Sequence, residues 1–193
     1  MLQQPIVIDL ETKHTFREFS DPKQLGITVV GAYDYATDTS RTFLEDELGE
    51  LYSLLENASY VIGFNIVSFD LPVFSAYYPG DIKQFKTFDL LDDVRSKIGR
   101  RLSLDMLLKA TLNTQKTGHG LQAVEFYKEG KMEELKSYCL HDVLFTRDLF
   151  EYGSTHGAIY YLEGMEKVAI KTSWSQYKLP QQKKSDVHLT LPF

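Results

Sequence analysis

Apolar and polar positions along the chain fall into segments that predict a sheet first and helices later. Pro5-Ile6-Val7-Ile8-Asp9-Leu10 is a short, β-branched apolar run, the pattern of a buried strand, and further strands are expected at 25–35 and 39–44. Residues 46–56 carry a helical pattern, and Ser59 to Asn65 returns to a short apolar strand. A helix is expected to open at Asp70-Leu71-Pro72, because aspartate caps helices well and proline is tolerated in the first turn. Lys86 to Asp89 reads as another strand, followed by helices at 90–98, 103–112, 120–129 and 132–152. Segments 157–163 and 166–173 are consistent with a small hairpin, and the polar, proline-containing stretch 178–187 with a linker. This order predicts an α/β fold whose mixed central sheet joins an antiparallel meander to parallel crossovers and is flanked by helices.

With 193 residues the chain is long enough for one domain with a substantial core, expected at 1–175, leaving 176–193 as a flexible tail. Its 43% hydrophobic and 25% charged residues exclude a disordered chain. No run is long and apolar enough to span a bilayer and the N-terminus has no basic leader pattern, so a cytoplasmic protein without a membrane partner is expected. The single cysteine, Cys139, excludes an internal disulfide and a cysteine-built zinc site; any metal must be held by oxygen or histidine. The net charge of −6 argues against a non-specific nucleic-acid binder, but it is unevenly spread. Residues 1–60 hold eleven acidic and four basic side chains, whereas 83–116 hold eight basic (Lys83, Lys86, Arg95, Lys97, Arg100, Arg101, Lys109, Lys116) and four acidic ones. That stretch reads either as solvated helix faces or as a track for a phosphate backbone.

Three places carry chemistry. In the first strand Val7, Asp9 and Glu11 share a face because side chains alternate, so two acids leave the end of a buried strand together, either into solvent or as a metal-binding edge. In the helix at 132–152, Leu135, Tyr138, Cys139, Asp142, Thr146, Leu149 and Phe150 form an apolar stripe with Asp142 inside it. A carboxylate there needs compensation, which a hydrogen bond from Tyr138 one turn earlier or a metal shared with Asp9 would supply. Asp70 by itself reads as a helix cap.

The strings I-V-I-D-L-E-T at 6–12, G-F-N-I-V-S-F-D-L-P at 63–72 and Y-C-L-H-D at 138–142 resemble, in order, the three motifs of the DEDD superfamily of 3′→5′ exonucleases. The second and third are most similar to the proofreading domains of family B DNA polymerases. The spacing of Tyr138 and Asp142 matches the tyrosine branch; the histidine branch would need a histidine where Ser137 stands, and His141 points about 100° away from Asp142 on a helix, as a surface residue. The resemblance, which reaches from residue 5 to about 152, implies a ribonuclease-H-like fold. It implies that Asp9, Glu11, Asp70 and Asp142 hold two divalent ions, Mg²⁺ or Mn²⁺, with Tyr138 orienting the attacking water. It also places Leu10, Thr12, Asn65 and Phe69 along the substrate groove, although Phe69 reads equally well as core. The implied substrate is a single-stranded DNA 3′ end, in proofreading or repair, with nucleoside 5′-monophosphates as products.

The chain ends in His188-Leu189-Thr190-Leu191-Pro192-Phe193, which resembles the hexapeptide by which bacterial replication proteins bind the sliding clamp, and through it a replicative polymerase. His188 stands where that peptide usually has glutamine, and the segment could instead fold back on its own domain. Two other functions fit the same residues: an exoribonuclease, since the acids do not distinguish the sugars, and a non-catalytic clamp-binding adaptor on an exonuclease fold.

Overall fold

The computed structural model describes residues 2–115 and 120–182, the side chains of 120 and 121 excepted. Strands β1 (Leu2–Gln3), β2 (Ile6–Thr12), β3 (Ile27–Asp34) and β4 (Thr39–Leu44) come first. Helix α1 (Leu48–Asn57) leads to β5 (Val61–Gly63), and α2 (Asp70–Phe74) to β6 (Thr87–Asp89). Helices α3 (Leu90–Ile98), α4 (Leu104–Leu112), α5 (Gly120–Lys128) and α6 (Met132–His156) follow, then β7 (Ala158–Glu163), β8 (Glu166–Lys171), α7 (Ser175–Lys178) and β9 (Gln181–Gln182). The main sheet has the order β4-β3-β2-β5-β6. Its first two pairings are antiparallel and its last two parallel, the mixture expected from the sequence.

Alternation along β2 decides where the acids emerge. Ile6, Ile8 and Leu10 face one side, packed with Leu51 and Leu55 of α1 and Val73 and Phe74 of α2. Val7 faces the other, with Val94 of α3, Leu107 of α4 and Val143 and Phe150 of α6. Asp9 and Glu11 share the register of Val7 and therefore leave the sheet on the side covered by α6. Helix α6 comes very close there because Gly31 of β3 lies opposite Asp9. A Cβ at Gly31 would stand 2.8 Å from Val143 Cγ2 and 3.1 Å from Cys139 Sγ. The Cys139 thiol, whose pKa burial pushes up, donates to the Asp9 carbonyl at 3.5 Å. The buried residues of α6 include every member of the stripe read from its sequence.

Several boundaries differ from the sequence reading, each for a local reason. The strand expected at 59–65 is reduced to Val61–Gly63, because Asn65 takes a left-handed backbone (φ 70°) and its N–H turns to the Asp89 carboxylate at 2.8 Å. Helix α6 runs on to His156 and stops at Gly157, which is left-handed at φ 67°. Asp70 is not the cap of α2: Phe69 occupies that position and Asp70 is already helical. Of the segment 178–187, expected as linker, Lys178 ends α7 and Gln181–Gln182 form β9, which pairs antiparallel with β1, while Lys86 Nζ donates to Gln181 at 2.9 Å; 183–187 lie outside the described residues. Two glutamines carry no apolar pattern, so this pairing left no trace in periodicity. The hairpin expected at 157–173 is present as β7 and β8, and Trp174 seats it against α6 at Gly153, where a Cβ would come 2.3 Å from the indole. Among the described residues no helix is long and apolar enough to cross a membrane.

Candidate metal centre and active-site groove

The C-terminal end of β2, the loop from β5 to α2, the start of α4 and the middle of α6 enclose an open groove of about 520 Å³. Asp9, Glu11, Asp70, Tyr138 and Asp142 all line it. One carboxylate oxygen from each of Asp9, Glu11 and Asp142 lies within 4.8 Å of the other two. Asp9 and Glu11 are half-buried and Asp142 is buried, at 6% exposure. Three carboxylates that close, in a partly desolvated place, repel one another strongly, and a divalent cation offsets that repulsion with hard oxygen ligands. The donor set therefore fits Mg²⁺ or Mn²⁺.

Asp70 stands apart from that triad but borders the same groove. It is 2% exposed, and its Oδ1 accepts the Leu10 N–H at 3.0 Å, so it grips the backbone of β2 between Asp9 and Glu11. Burial pushes its pKa up to about 7 against the help of that hydrogen bond, and the nearby Asp89 carboxylate adds to the rise. Asp89 was read from sequence only as the end of a strand. It caps α3 by accepting from Leu91 N at 2.9 Å and holds the β5–α2 loop through Asn65 N at 2.8 Å and Val67 N at 3.0 Å. Its pKa is also raised, by burial.

Burial, and next the charges of Asp142, Glu11 and Asp9, drive the Tyr138 pKa well above the ordinary phenol value. The hydroxyl keeps its proton and acts as a donor. Of the residues expected along the groove, Leu10, Asn65 and Phe69 line it. Phe69 also packs on the core and meets the exposed Phe16 edge-on, with ring centroids 5.7 Å apart. Thr12 does not line it: alternation turns Thr12 away from Glu11, and its buried hydroxyl donates to the His14 carbonyl at 2.7 Å. His141 is exposed, beside Phe145. From the described part of the basic stretch Arg101 lines the groove, while Lys86, Lys97 and Arg100 bond to Gln181, Asp93 and Glu163. Lys116 and the terminal residues His188, Leu189, Thr190, Leu191, Pro192 and Phe193 lie outside the described residues.

A family model described as RNase_H superfamily matches residues 6–154, the span that holds the sheet, the groove and nearly all of α6. The chain belongs to the RNase H superfamily. No curated protein sequence matches it. Among solved structures, this RNase H-superfamily chain is similar to RNase D of Trypanosoma brucei, with a TM-score of 0.54 at 17% identity over 96% of this chain and 70% of that one. The same enzyme in complex with GMP gives 0.52 at 16% identity, over 96% and 61% of the two chains. E. coli exonuclease I with a 5cy-dT13 oligonucleotide gives 0.48 at 14%, over 81% of this chain and only 41% of that one. The RNase D matches establish likeness of fold.

Proposed function

We propose that this chain is a metal-dependent 3′→5′ exonuclease of the DEDD type, tyrosine branch, releasing nucleoside 5′-monophosphates from DNA ends. The observation that carries the reading is the convergence of Asp9, Glu11 and Asp142, from β2 and α6, with their carboxylate oxygens within 4.8 Å in an open groove. When bound there, two divalent cations supply a lowered pKa for water and charge neutralisation for the phosphate and the leaving 3′ oxygen. Asp9, Glu11 and Asp142 would hold these ions, with Asp9 the ligand assigned to both and Glu11 and Asp142 assigned to the one that activates water, and Asp70, on the same groove, would serve the other.

Tyr138, kept protonated by its surroundings, donates a hydrogen bond that orients the attacking water and does not act as the base. Phe69, with Phe16 against its edge, offers an apolar wall for the terminal sugar or base. The test is hydrolysis of 5′-labelled single-stranded DNA, matched RNA and mismatched-primer duplex with Mg²⁺, Mn²⁺ and EDTA. A ladder shortening from the 3′ end of DNA, abolished by EDTA, supports the reading; no cleavage with either ion overturns it, and a ladder on RNA alone transfers it to the ribonuclease alternative. That alternative draws support from the shared fold with RNase D. The sliding clamp is the proposed partner of residues 188–193, and a pull-down with a chain lacking them tests it, since unchanged clamp capture would exclude that role.

A further inference from the structure

Arg100 and Arg101 stand side by side in sequence but are differently placed. Arg100 forms an ion pair with Glu163 at 3.1 Å and lies over the Tyr161 ring, which fastens α4's approach to the β7–β8 hairpin. Arg101 is exposed and lines the groove, and among the described groove-lining residues its side chain is the cationic one. Its Nη2 donates to Asn65 Oδ1 at 2.7 Å. Asn65 is itself fixed, since its backbone is left-handed and its N–H is held by the buried Asp89 carboxylate. The guanidinium is thus positioned through a chain of hydrogen bonds running back to the cap of α3. The bond to Asn65 uses one of its five N–H donors. The remaining donors form the planar fork that matches phosphate oxygens.

We infer that Arg101 binds a non-scissile phosphate of the nucleic-acid strand, upstream of the bond that is cut. The inference rests on the nuclease reading and deepens it. A groove walled by Asp9, Glu11, Asp70 and Asp142 repels a polyanion wherever cations do not cover the acids. Bound cations act at the scissile phosphate, so the strand leading to it needs its own countercharge. Arg101 supplies this on the wall formed by Asn65 and the start of α4. Asn65, expected to touch substrate directly, then acts as the positioning residue that aims the guanidinium.

The test uses the full chain with Mg²⁺ and 5′-labelled single-stranded oligodeoxynucleotides, in which one upstream phosphate at a time is replaced by a neutral methylphosphonate. Arg101→Ala is expected to raise KM on the order of 10-fold with kcat nearly unchanged, and Arg101→Lys to recover part of the loss. One upstream methylphosphonate should raise the wild-type KM by a similar factor and add nothing to Arg101→Ala. In EDTA, the slope of log affinity against log salt should fall by about 0.7 for Arg101→Ala on a single strand. An unchanged KM and salt slope, or methylphosphonate effects identical in wild type and Arg101→Ala at every linkage, would overturn the assignment while leaving the nuclease reading intact. Failure of the wild type to cleave any of the oligonucleotides would bring down both.

Discussion

The buried Asp70 couples the site to stability in a way that can be measured without substrate. Its carboxyl has an ordinary pKa of 3.8 and is raised by burial to about 7 in the fold. In the unfolded chain the group ionises from about pH 4, whereas the folded state resists until about pH 7. The sign follows from that order: the contribution is fully favourable below the unfolded pKa and is lost as pH rises through the folded one. Each pH unit in that window corresponds to about 1.4 kcal/mol, so the metal-free protein should lose on the order of 4 kcal/mol between pH 4 and pH 8 through this one side chain. Asp70→Asn keeps an oxygen to accept the Leu10 N–H and removes the charge. Burying its amide N–H groups adds a cost that does not change with pH and cancels when the two pH values are compared. Urea unfolding of both proteins in EDTA should therefore show Asp70→Asn gaining on wild type by about that amount from pH 4 to pH 8, mostly before pH 7. Millimolar Mg²⁺ should shrink the gain at pH 8, because a cation stabilises the ionised wild-type group. Parallel pH profiles in EDTA would refute the reasoning.

Asp9→Asn and Asp142→Asn are expected to lower kcat for phosphodiester hydrolysis by about 10³-fold or more, whereas Tyr138→Phe, which removes one hydrogen bond, should cost about 10-fold to 100-fold; steady-state kinetics on one oligonucleotide compares all three. Gly31→Val should destabilise the fold by about 1–3 kcal/mol through overpacking against Val143 and Cys139, and by pushing α6 away from β3 should also weaken Mn²⁺ binding measured by calorimetry. Trp174→Ala should cost about 3–5 kcal/mol in urea unfolding, since the indole fills the space over Gly153 and its Nε1 donates to Asp93 at 2.7 Å, while kcat at a temperature where the variant stays folded is unchanged.

The acids on β2 and α6 were legible because each is written into a local period. The two-residue alternation of Val7, Asp9 and Glu11 and the apolar stripe containing Asp142 each fix a face, and the fold brings those faces together. Asp70 reads locally as a cap and enters the acid set only through the resemblance, because its partner, the Leu10 N–H, lies 60 residues away and no local pattern announces it. Asp89 did carry a signal, an aspartate directly before the helix Leu90–Ile98, but its hold on Asn65 and Val67 is a tertiary contact. Gly31 gains its meaning only from the helix lying on it. Arg101 could be noticed as part of a basic stretch, yet only the structure separates it from Lys97 and Arg100, which meet carboxylates outside the groove.

The central claim is that Asp9, Glu11 and Asp142 together hold divalent metal. Crystals of the full chain soaked in Mn²⁺ and measured for anomalous scattering test it most directly. A strong peak bounded by these three carboxylates, lost in Asp142→Asn, is the expected result; clean difference maps with no peak there, at an Mn²⁺ concentration where the other carboxylates of the surface are already decorated, would contradict it.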